Sequence, residues 1–192
     1  MAHIRQINIK PQLKGLTLAG LQKLFLKNGE AKYRAQQVFN WMYNYKVISF
    51  DVMENLPKSL RSKLADEYSL VTLEKVNEAA SKTSGTKKLL FRTAAGHVIE
   101  SVIIPEEDRA TLCISTQVGC PLDCKFCATG LMGYKMNLTP GEIFDQYMLS
   151  QEGFEKPITN IVYMGMGEPL LNYESTLNSL EIFSQEMTRG LA

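Results

Sequence analysis

The 192-residue chain has 45% hydrophobic and 21% charged residues and a formal net charge of +1, which is the balance of a globular protein with a buried core and excludes a disordered polymer. No apolar run approaches the ~18 residues of a membrane-spanning helix, and the opening MAHIRQINIKPQLKG lacks the apolar stretch of a secretory signal. A cytoplasmic protein with no membrane contact is expected, in which thiols stay reduced and serve as ligands or nucleophiles. Charge is unevenly spread. Residues 1–88 hold 15 Lys/Arg against 7 Asp/Glu, a net +8, whereas residues 89–192 hold 6 against 13, a net −7. A basic half is either a footprint for nucleic acid or a solvated helical surface.

The first third predicts helices. Leu18, Leu21, Leu24 and Phe25 recur at helical spacing between Leu16 and Lys27, and Asn28-Gly29 ends the run. A second helix is expected from about Ala31 to Tyr45, with Val38, Trp41 and Met42 on one face. A third follows Pro57 and carries Leu60 and Leu64. Lys32, Arg34, Lys46, Lys58, Arg61 and Lys63 lie between the apolar positions, so residues 1–70 read as a small helical accessory domain with a basic outer face. The period then shortens to that of strands: Val71–Ala79, Thr86–Thr93 and His97–Ile104, separated by Ser84-Gly85 and Ala95-Gly96, predict an antiparallel meander over residues 71–110.

From residue 111 the rhythm is strand (Thr111–Ser115), loop (Gln117–Lys135), helix, strand (Ile158–Met164), helix (Tyr173–Glu186), which is that of parallel β/α units. Thr139-Pro140-Gly141-Glu142 supplies an N-cap, a proline at the first helical position and a capping box. The expected class is α/β. About two β/α units neither close a barrel nor cover a sheet, so the sequence reads as the start of a truncated (β/α) barrel.

All four cysteines fall between positions 113 and 127, and the last three, Cys120, Cys124 and Cys127, form C-x3-C-x2-C within GCPLDCKFC. Three thiolates on one short loop bind three irons of a [4Fe–4S] cubane and leave the fourth iron without a protein ligand. That open iron suits chelation of S-adenosylmethionine, whose reductive cleavage gives a 5′-deoxyadenosyl radical. A zinc-bearing RNA-binding module is the competing reading, with Cys113 as fourth ligand. It usually shows paired C-x2-C knuckles or nearby histidines, and the histidines here are His3 and His97.

GCPLDCKFC matches the CxxxCxΦC pattern of radical S-adenosylmethionine enzymes, with Phe126 as Φ. The wider strings IPEEDRATLCISTQVGCPLDCKFCATG and MGMGEPLLN resemble the rRNA/tRNA adenine-C2 methyltransferase family of RlmN and its relative Cfr, continuously from about Glu100 to Asn172. The resemblance implies a truncated radical-SAM barrel behind a helical RNA-gripping domain. It implies Cys120, Cys124 and Cys127 as cluster ligands, and Gly167 and Glu168 as contacts to the amino-acid end of S-adenosylmethionine. It makes Glu100 the proton acceptor and Cys113 the thiol that resolves a protein–RNA crosslink.

The partners implied are 23S rRNA, tRNA and an electron donor such as flavodoxin, acting on a monomer. The family's methyl-carrying cysteine lies far toward the C-terminus and is not among the four here, so a fragment that does not turn over alone is expected. A Cfr-type C8 methyltransferase and a different radical enzyme such as an activase remain alternatives. The basic helices and Cys113 argue against the activase.

Overall fold

The computed structural model describes residues 10–122 and 124–185. The reading of residues 1–9 and the helix end at Glu186 lie outside them. Helices α1 (Leu18–Lys27), α2 (Lys32–Tyr43) and α3 (Lys58–Glu67) stand where the apolar spacing put them. The first starts two residues later than expected because Thr17 caps it, its hydroxyl accepting from the Gly20 N–H. Leu21 and Phe25 of α1, Val38, Phe39 and Met42 of α2, and Leu60 and Leu64 of α3 are buried together.

The basic face is smaller than its sequence. Lys32, Lys58 and Lys63 are exposed. Arg34 donates to Gln37 and to the Asn55 carbonyl, Lys46 donates to the Tyr147 hydroxyl, and Arg61 donates to the Asp51 carbonyl. Arg34 and Arg61 thus hold the module together, and Lys46 ties it to Tyr147 of the second half.

Strands β1 (Leu73–Ala80), β2 (Lys87–Thr93) and β3 (Val98–Pro105) form the expected meander, and it runs without a break into β4 (Ala110–Cys113). Two short strands follow, β5 (Gln117–Val118) and β6 (Met136–Asn137). They bracket a loop that contains the one-turn helix α4 (Ala128–Leu131). Helix α5 (Pro140–Gln151), strand β7 (Ile158–Val162) and helix α6 (Tyr173–Ser184) complete the described chain. The five-stranded sheet has the order β1-β2-β3-β4-β7, antiparallel except for the parallel pair β4–β7. The architecture is mixed α/β, with a first β/α unit built onto an antiparallel meander.

Helix α5 is the keystone. Thr139 and Glu142 form the expected capping box. The helix is buried from Gly141 to Met148, so it has no solvent face. Its sheet side meets Ser101 and Ser115 through Gln146, and its opposite side meets the helical module. There Phe144 packs edge-on to Tyr43 at 4.9 Å, and Asp145 pairs with Lys14 at 2.7 Å, both side chains 1% exposed or less. Thr72 donates to the same carboxylate from its N–H and its hydroxyl. The backbones at Gly15 and Gly141 touch: a Cβ on Gly15 would lie 2.5 Å from the Gly141 nitrogen. One continuous apolar cluster therefore runs from Leu13 to Phe183.

Candidate active site

Strands β4 and β7 are parallel neighbours, and a ligand in such a sheet sits beyond their carboxyl ends. Beyond β4 lie Ile114, Ser115 and Thr116, and beyond β7 lies Tyr163-Met164-Gly165-Met166-Gly167-Glu168. The two segments are laced together. Gly165 N–H donates to the Ile114 carbonyl at 2.9 Å, Thr116 N–H to the Met166 carbonyl at 2.9 Å, and Met166 N–H to the Ser115 hydroxyl at 2.9 Å. A Cβ on Gly165 would approach the Ile114 carbonyl to 2.7 Å, so this lacing needs glycine. Gly167 has φ +98° and would press a Cβ to 2.6 Å from the Gln117 side chain. Glu168 Oε1 accepts from the Leu170 N–H at 3.1 Å, and Oε2 makes no hydrogen bond among the described residues.

The cysteine loop leaves and re-enters through the β5–β6 hairpin. At its neck Gly119, with φ +71°, crosses the Gly133 carbonyl so closely that a side chain would collide. Inside the loop the Cys127 N–H donates to the Cys124 carbonyl at 3.0 Å, and Gly130 N–H to the Cys127 carbonyl at 3.1 Å. The four cysteines are free thiols. Backbone N–H groups of Gly130 and Thr129 face the Cys127 sulfur and hold its pKa below the usual thiol range, favouring the thiolate a metal needs. Phe126 is 95% exposed, so it contributes nothing to the core of this chain.

Among the described residues no three His, Cys, Asp or Glu side chains converge on one point. A cubane takes one thiolate at each of three irons. The donor set of three free thiols on one glycine-necked loop thus fits a cluster.

Cys113 ends β4 and Glu100 lies on the adjacent antiparallel strand β3. The register pairs Val102 with Cys113, which puts Glu100, two residues on, on the same sheet face as the cysteine. Burial agrees: Glu100, Val102 and Cys113 are half-exposed, whereas Ser101, Ile103 and Leu112 point into the core. Partial burial pushes the Cys113 thiol up, against the smaller opposing effect of the Met164 N–H aimed at its sulfur. The Glu100 carboxylate pairs with Lys88 at 3.1 Å, and its backbone carbonyl accepts from the Ser115 hydroxyl at 2.6 Å.

Comparison with known proteins falls in two blocks. Residues 11–70 match the family model for the ribosomal RNA large subunit methyltransferase N-terminal domain, and residues 114–187 match that for the radical SAM superfamily. The chain is 44% identical to the "Probable dual-specificity RNA methyltransferase RlmN" of Salinibacter ruber, over 94% of this chain and 51% of that protein. It is 41% identical to the dual-specificity RNA methyltransferase RlmN of Marinobacter nauticus, over 95% and 51%. The crystal structure of a radical SAM methyltransferase from Sphaerobacter thermophilus superposes with a TM-score of 0.82 at 42% identity, covering 93% of this chain and 53% of that one. The chain belongs to the RlmN family of radical SAM proteins. It spans about half the length of the curated RlmN relatives it matches.

Several polar groups of this RlmN-family site were not singled out by sequence reasoning. Ser115, Gln117 and Lys88 each bond a residue that was, and Gln146 bonds Ser115. A signal was present: the run TLCI turns polar at Ser115-Thr116-Gln117, where a strand entering a core stays apolar. Ser115 and Gln117, buried there, have bonded side chains, whereas the buried Thr116 hydroxyl has no partner among the described residues.

Proposed function

We propose that this chain is the cluster-bearing part of a cytoplasmic RNA methyltransferase that methylates C2 of a specific adenosine in 23S rRNA and in tRNA. The observation that carries the reading is the lacing of residues 114–117, which lead into the three-cysteine loop, to the Gly165–Glu168 turn beyond β4 and β7, with Cys113 and Glu100 on one adjoining sheet face. Cys120, Cys124 and Cys127 hold a [4Fe–4S] cluster. The chemistry that the cluster supplies when bound is one-electron reductive cleavage of S-adenosylmethionine, with the electron coming from a donor such as flavodoxin.

The chain's own residues do the rest. Gly167 lets the backbone approach the amino-acid end of S-adenosylmethionine, and the Glu168 carboxylate accepts from its ammonium group. Glu100 accepts the C2 proton of the RNA adduct. Cys113, as thiolate, attacks the sulfur of the methyl-carrying cysteine; the sulfur–sulfur bond forms as the sulfur–carbon bond to the RNA breaks, and the released carbon keeps the electron pair and takes up a proton to become the methyl group. Residues 1–70 grip RNA phosphates, residues 71–110 form the wall that carries Glu100, and residues 111–192 carry the cofactor site. Among the described residues no helix is long and apolar enough to cross a membrane.

Two measurements test this. After anaerobic reconstitution, Cys124→Ala loses the brown chromophore and Cys113→Ala keeps it; equal loss in both makes Cys113 a ligand and overturns the roles. The intact protein, given S-adenosylmethionine, reductant and rRNA, yields 2-methyladenosine by mass spectrometry of the digested RNA. Finding 8-methyladenosine in its place overturns the C2 assignment.

A further inference from the structure

Gln117 joins the two halves of the cofactor site. It is 1% exposed and stands in β5, three residues before Cys120. Its Oε1 accepts from the Glu168 N–H at 2.9 Å, and its Nε2 donates to Asn137 Oδ1 at 2.8 Å. The donor at Glu168 is a backbone N–H, so the amide oxygen must face it and the amide nitrogen must face Asn137. Asn137 is the cross-strand partner of Gln117, in the strand by which the cysteine loop returns. Gly167 packs directly on the Gln117 side chain, and the Gln117 N–H also reaches the Met166 carbonyl at 3.2 Å. One buried side chain is thus bonded both to the hairpin that frames Cys120, Cys124 and Cys127 and to the turn that presents Glu168.

We infer that Gln117 is a positioning residue. It fixes the Gly167–Glu168 turn against the neck of the cysteine loop and so sets the affinity for the amino-acid end of S-adenosylmethionine, without itself holding the cluster. The inference rests on the cofactor reading above. The thiolates bind iron whether or not the turn is in register. The amino and carboxylate groups of the cofactor have to meet the open iron and Glu168 together, so they depend on the distance between loop and turn.

The test uses Gln117→Met, which keeps the length and packing of the side chain and removes both amide bonds. Expected are unchanged iron and sulfide content in the reconstituted chain, faster hydrogen exchange at the Glu168 amide, and binding of labelled S-adenosylmethionine weakened about tenfold, the scale of one or two neutral hydrogen bonds. Asn137→Ala, an exposed position, unties the hairpin end alone and is expected to weaken binding about threefold. It decides the matter if Gln117→Met does not fold. Wild-type cofactor affinity in either variant makes Gln117 a structural residue only and overturns the proposal, as does unchanged exchange at Glu168 in Gln117→Met. A wild-type cluster that ignores S-adenosylmethionine sinks the cofactor reading instead, and the exchange measurement still judges the bridge.

Discussion

Replacing Lys14 by Met breaks the buried bond that ties the N-terminal segment to helix α5. Lys14 Nζ and Asp145 Oδ1 are 2.7 Å apart and both side chains are out of water, so the variant leaves a carboxylate buried without its counterion. Removing one partner of such a pair costs about 3–5 kcal/mol. Thr72 still donates two hydrogen bonds to Oδ2, which puts the expected loss near the lower end, ~3 kcal/mol. That is a large part of the ~5–15 kcal/mol a domain has. The double variant Lys14→Met/Asp145→Asn is neutral at the site, keeps an acceptor for Thr72, and is expected to lose only ~1 kcal/mol. Urea unfolding of the reduced apo chain measures both. Fluorescence of Trp41, the single tryptophan, reports the helical module, and far-ultraviolet circular dichroism reports the whole. The two transitions are expected to coincide in the wild type and to separate in Lys14→Met, the module coming off its docking helix first. A single variant within ~1 kcal/mol of wild type, with coincident transitions, refutes the claim that this pair fixes the module to the catalytic half.

Gly167→Ala places a Cβ at φ +98° against Gln117 and is expected to weaken S-adenosylmethionine binding at least ~tenfold, since the backbone strain alone is about 1–2 kcal/mol. Unaltered affinity in a dialysis assay would show that the turn relaxes. Affinity for a structured rRNA fragment should fall steeply with salt. It should drop further in a Lys32→Ala/Lys58→Ala/Lys63→Ala variant whose melting temperature is unchanged; a flat salt dependence contradicts phosphate contact by the module. Burial raises the Cys113 pKa, so the thiol stays protonated to higher pH and the thiolate fraction grows as pH rises toward the raised value. Alkylation of Cys113 should therefore still be accelerating above the pH at which an unperturbed thiol has levelled off, and an early plateau in the iodoacetamide rate counts against that environment.

Much of the fold was legible because its signals are local. The helical spacing of Leu21 and Phe25, the capping box at Thr139 and Glu142 and the turns at Gly85 and Gly96 are each complete within a few residues. Boundaries moved where a polar group intervened, as at the Thr17 cap. Lys14 was the reading's largest omission. A lysine near a basic segment looks like surface, and nothing within 100 residues of it in sequence announces the aspartate that draws it inside. The same limit divided the basic face, since the acceptors that occupy Arg34, Lys46 and Arg61 are a backbone carbonyl, a tyrosine on α5 and another carbonyl.

The site divides along the same line. The three cysteines lie within eight residues of each other, so one loop conveys the proposed ligand set, and the GMGEP string conveys a glycine-rich turn. What places the loop against the turn is non-local. The Gln117–Glu168 bond spans 51 residues, as does the bond from Met166 to Ser115, and the register that puts Glu100 on the same sheet face as Cys113 comes from strand pairing. The proposed chemistry needs both kinds of information: thiolates on one segment to bind metal, and long-range hydrogen bonds to keep the proposed cofactor contacts at a fixed distance from them. Residues of the second kind are buried amides and hydroxyls such as Gln117, Ser115 and Gln146. They carry no motif, yet each is bonded on two or more sides. Substitutions there should leave the metal in place and alter what it can hold.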